Sequence, residues 1–111
     1  MSRADRLERL DNQRLALEVQ FKDLLIAALE RAAGGSWGLF QHNTDKFSRK
    51  AWEPAVAELV ELGEQIDAAR MVLGLEPFAL FGEFLGSRGP VASNAPGEPK
   101  QAKAWLERLS C

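Results

Sequence analysis

Histidine occurs once in this chain, at position 42; tyrosine is absent, and the single cysteine is Cys111. Acid–base or nucleophilic chemistry would therefore have to centre on His42 or on carboxylates. His42 lies in GGSWGLFQHNTD, residues 34–45, which leads into KFSRKAW, residues 46–52. There Trp37, Phe40 and Trp52 offer aromatic faces, while His42, Lys46 and Arg49 offer polar and positive groups. Aromatic faces beside cations can hold a planar anion or single-stranded nucleic acid. These six residues are the candidate ligand-binding set. The competing and simpler reading is that Trp37, Leu39 and Phe40 plug the end of a helical hairpin and bind nothing.

The motifs of the common enzyme classes are missing. There is no Glu-x-x-His, His-Glu-x-x-His or Cys-x-x-Cys spacing for a metal. No Gly-x-Ser-x-Gly precedes a helix, and the glycines of GGSWG follow a helix instead of a strand, so neither a nucleophile elbow nor a phosphate loop is expected. Glu58, Glu61, Glu64 and Asp67 step by three and could face a hard cation or a basic partner, but a solvated helix face explains them more simply. Cys111 can form no intrachain disulfide and reads as a bystander thiol. No catalytic residue, metal or cofactor is assigned; an enzyme built on His42 ranks below the other readings.

The elements that must position these residues are helices. Residues 3–33 lack Gly and Pro, and Leu7, Leu10, Arg14, Leu17, Phe21, Leu24 and Ala28 recur at steps of three and four. A second apolar line, Leu15, Val19, Ile26, Leu29 and Ala33, lies on a nearly opposite face, so this helix needs neighbours on two sides. Gly34 and Gly35 end it. A second helix spans 45–73, capped by one of residues 43–45 or by Ser48, with a Phe47–Trp52 staple and a kink or break near 52–54 at Pro54; alternatively its main body begins near Pro54. Gly63 beside its apolar stripe implies close approach of a neighbouring backbone or bulky side chain. Shorter helices are predicted over 77–85 and 99–109, separated by a loop at 86–98.

The expected architecture is all-α and a single domain: a long antiparallel hairpin covered by one or two short C-terminal helices. Folding the hairpin about its loop places Arg14 near Gly63 and Glu64, and Arg70 near Glu8. The second face of the first helix is to be covered by the C-terminal segments or by a second copy in a four-helix-bundle dimer. A net charge of −2 gives no global attraction for nucleic acid or membrane. No window spans a bilayer and the charged N-terminus carries no apolar signal segment, so a cytoplasmic location is expected. The functional expectation is association, with a homodimer as first partner and another protein as second. A binding module for an anionic ligand or single-stranded nucleic acid at 37–52 is the alternative.

Overall fold

The computed structural model describes residues 3–41, 45–88 and 96–110. Among these the protein is all-helical: α1 (Arg3–Ala33), α2 (Lys46–Val72), α3 (Ala79–Gly86) and α4 (Glu98–Ser110), with no strand. The long helix α1 packs on both α2 and α4. Its two apolar lines therefore do find two neighbours, as its sequence requires. Phe21, Leu25, Ala28 and Leu29 are buried between them. The helix ends where Gly35, at φ 115°, donates its N–H to the carbonyl of Ala32 at 3.0 Å.

Helix α2 starts where the sequence places it, just after Asp45. Asp45, not Ser48, is the N-cap, and its carboxylate accepts from the Ser48 N–H at 2.8 Å. That hydrogen bond is the main reason its pKa lies below the ordinary carboxylate value. Phe47 is 86% exposed and Trp52 is buried, so the two form no staple. The helix also runs through Pro54 without a break. Pro54 is on the exposed side, so the carbonyl it leaves without a helical donor can be served by solvent.

The register of α1 against α2 is also shifted. Arg70 Nε donates to Glu18 at 2.8 Å rather than meeting Glu8, and Arg14 pairs within its own helix with Asp11 and Glu18, both at 2.7 Å. The cause lies in the link between the helices. Leu39 and Phe40 are core residues packed beyond the end of α1. Helix α2 therefore starts farther out, and each of its residues meets α1 later in that helix.

The Glu18 cluster makes the hairpin sensitive to acid. Burial disfavours the Glu18 carboxylate, but hydrogen bonds from Arg70 and Arg14 outweigh that and hold its pKa below the usual 4.5. A pKa lower in the folded than in the unfolded chain adds stability that is complete above about pH 4.5 and is lost as pH falls through the lowered value. Glu18→Gln is expected to destabilise the protein by about 1–2 kcal/mol at pH 7. In thermal melts at falling pH, its deficit against wild type should shrink below pH 4.5; a constant deficit would remove the charge from the explanation.

Helix α3 completes the core. A Cβ on Gly63 would run into the ring of Phe81, so this glycine is the notch that admits the side chain. Phe81 and Phe78 both meet Phe21 edge-on, with centroids 5.8 and 5.5 Å away. Asp67 accepts the Phe78 N–H at 2.8 Å where α3 begins. This carboxylate thus has a structural partner, while Glu58, Glu61 and Glu64 are exposed.

Candidate functional site

The loop after α1 is built from glycines and large apolar residues, and the two have linked roles. Gly38 takes φ 130°, a conformation open to glycine alone among common residues, and this swings Leu39 and Phe40 into the core. Phe40 lies against Trp105 of α4 with ring centroids 6.3 Å apart. Burying two such side chains contributes about 1.5–3 kcal/mol each, which favours the inward conformation. It also strands the loop's backbone polar groups away from water.

Two charged side chains from the far end of the sequence take up those groups. The carboxylate of Glu98, fully buried at the start of α4, accepts from the N–H of Gly38 at 2.8 Å and of Phe40 at 2.7 Å. The guanidinium of Arg88 donates through Nε to the carbonyl of Leu39 at 2.9 Å. Burial lowers the Arg88 pKa, and the nearby Glu98 charge acts in the opposite direction. Three consecutive residues of the loop are thereby held by one acid and one base. Gln41 follows at φ 62°, the non-glycine residue with positive φ among those described.

Around this clasp lie two open clefts. One, of about 330 Å³, is rimmed by Arg31, Trp37, Asp45, Ser48 and Trp52. Within it the Arg31 guanidinium stacks 4.2 Å from the Trp52 ring centre. The other, of about 530 Å³, is lined by Gln41, Lys46, Arg49, Lys50 and Arg88, with Glu53 opposed to them and Val56 and Ala57 as its apolar wall.

The six candidate residues are therefore not one constellation. Phe40 and Trp52 are core residues with no free face for a ligand to stack on. Trp37 is 39% exposed and lies against Gly97, where an added Cβ would come within 2.7 Å of its ring. Lys46 and Arg49 line the second cleft, which none of the three aromatics lines. His42 lies outside the described residues, as do Asn43 and Thr44. Among the described residues no group of three or more acids, histidines or cysteines is arranged to hold a metal ion, and no helix is long and apolar enough to cross a membrane.

No family model matches the chain. No curated protein and no solved structure is similar to it either. Its chemistry has to be read from its own side chains. Of these, Glu98, Arg88 and Gln41 escape a reading of the sequence, whereas Lys50 belongs to its basic neighbourhood with Lys46 and Arg49. Glu98 stands in GEP and Arg88 in GSRGP, settings that look like solvated turns. The partners that make them structural lie 49 to 60 residues away. Their only local signal is a charge beside glycine and proline at a helix boundary, which many exposed residues share.

Proposed function

We propose that this protein works by association, and that its first partner is a second copy of itself. One observation supports this reading: the second apolar line of α1 is only half covered. Leu29 is buried and Ile26, beside Leu106 and Leu109 of α4, is partly covered, but Leu15 is 47% and Val19 61% exposed. These two residues are one helical turn apart and edge an open groove of about 530 Å³ whose apolar wall includes Phe78, Leu80 and Leu109. Side by side, a ridge and a groove on one surface suit a twofold contact, because each copy can offer its ridge to the other's groove.

The charges around the groove favour the same partner. Glu18 and Glu83 stand with Lys22 and Arg108 at its rim. Arg108 is ion-paired with Glu83 and lies 4.5 Å from the Trp105 ring centre. A patch with balanced charge can meet its own copy without net repulsion. A strongly acidic or basic partner would find no complementary field there.

Sedimentation equilibrium over a concentration series, with reductant present so that Cys111 cannot bridge copies, tests the reading. A reversible dimer is expected, with dissociation to monomer in the double variant L15E/V19E. Both side chains are exposed, so the variant should keep its fold. A wild-type chain that stays monomeric up to about 1 mM, where association is worth roughly 4 kcal/mol, would overturn it.

A further inference from the structure

The cleft between the loop clasp and the start of α2 is lined mainly by cations. Lys46, Arg49 and Lys50 share one side of α2 through spacings of three and four, and Arg88 lines the same cleft from the end of α3. Glu53 is the one acid among the described residues that line it. The close ion pairs of Arg14, Arg70 and Arg108 lie elsewhere in the molecule. Four positive side chains thus line a single cavity beside one acid, while outside the lining Asp45 acts on Arg49 and Glu98 on Arg88, which leaves Lys46 and Lys50 with Glu53 alone in the lining.

Two further observations point to a ligand. Arg88 is partly buried, donates Nε to the Leu39 carbonyl and lies 5.9 Å from the Phe84 ring centre, while its guanidinium lines the cavity. Burial also lowers its pKa, so an anion placed there would restore what burial costs its charge. Gln41, at the edge of the same cavity, is held at φ 62°, a conformation that is unfavourable for an L-residue and concentrates at ligand sites. The Glu98 bond to the adjacent Phe40 N–H helps to hold it there.

We propose that this cleft binds a small anion carrying several phosphoryl charges, of the di- or triphosphate class. Four cationic side chains spread around one cavity can meet several phosphoryl oxygens at once, and a volume of about 530 Å³ leaves room for more than a single phosphate. Guanidinium and ammonium groups together suit phosphoryl oxygens. Single-stranded nucleic acid is disfavoured because no aromatic ring lines the cleft, so bases have nothing to stack on. The site shares no residue with the apolar groove of α1, so it does not depend on dimer formation.

Titration calorimetry of the full chain with inorganic tripolyphosphate tests this, with ATP and oligothymidylate run in parallel. Saturable one-to-one binding that weakens with salt is expected. Lys46→Ala and Arg49→Ala should each weaken it roughly tenfold without lowering the melting temperature, because both side chains are exposed. Glu53→Gln should tighten it. ATP binding at a comparable affinity supports recognition through the phosphate chain. Absence of saturable binding at millimolar tripolyphosphate, or binding unchanged in both cation variants, would overturn the proposal. Oligothymidylate binding more tightly than tripolyphosphate would overturn it in favour of nucleic acid.

Discussion

Replacing Glu98 with alanine should cost about 3–5 kcal/mol, a large share of the stability of a chain this size. The substitution strands the Gly38 and Phe40 N–H groups in the core, where each unsatisfied donor costs about 1–3 kcal/mol. It also leaves Arg88 partly buried without the opposing charge that steadies it. The melting temperature should fall by about 15 °C or more. Glu98→Gln keeps the volume and one acceptor oxygen, but turns an amide donor towards a backbone donor, so it should lie between wild type and alanine. The double variant Glu98→Ala with Arg88→Met should lose less than the two single losses combined, because each single change leaves the other charge behind. Urea denaturation of the wild type, the three single variants and the double variant checks this. A Glu98→Ala loss below about 1 kcal/mol would mean that water reaches the loop amides and that the clasp is not structural.

Gly38→Ala should be nearly as damaging, through a different cause. At φ 130° an L-side chain pays about 1–3 kcal/mol for the backbone conformation alone. Here the new Cβ would also stand 2.7 Å from the Ser48 carbonyl oxygen and closer still to the Trp52 ring. The carbonyl belongs to α2 and cannot rotate away, and Trp52 is buried on all sides. Overpacking of this kind adds about 1–3 kcal/mol. Gly35→Ala is the control: φ there is 115°, but nothing lies within 4 Å of the added Cβ. The difference between the two variants therefore measures the steric part. Equal losses in urea denaturation would show that backbone conformation alone demands glycine at Gly38.

The fold was more legible in the sequence than the site, and the reason is range. Helix α1, its glycine stop and its need for two neighbours follow from spacings of three and four, which are local quantities. Gly63 signalled a close approach for the same reason: a glycine beside an apolar stripe is anomalous within a few residues of itself. The break at Pro54 was misjudged because a missing helix hydrogen bond matters less on an exposed side than in a buried one. The register of Arg70 is not legible locally, because a symmetric turn fails where residues 39 and 40 fold into the core. For Phe40 and Trp52, type and spacing suggest aromatic faces, yet only tertiary packing decides whether a ring faces solvent or core. Glu98 and Arg88 were invisible because their meaning depends on backbone groups half a chain away.

That distance bears on how the protein folds. A helical hairpin is rich in local contacts and should form quickly. The clasp instead joins residues 58 and 60 positions apart, and until it closes, Leu39 and Phe40 can be buried only at the expense of unpaired amides. As a chain grows from its N-terminus, α1 and α2 emerge complete while the group that locks their link is still unsynthesised. Early intermediates should therefore contain paired helices with an unsettled link, and the final cooperative step should be the arrival of α4. The barrier to folding then lies in closing a long loop around one carboxylate, not in winding either helix.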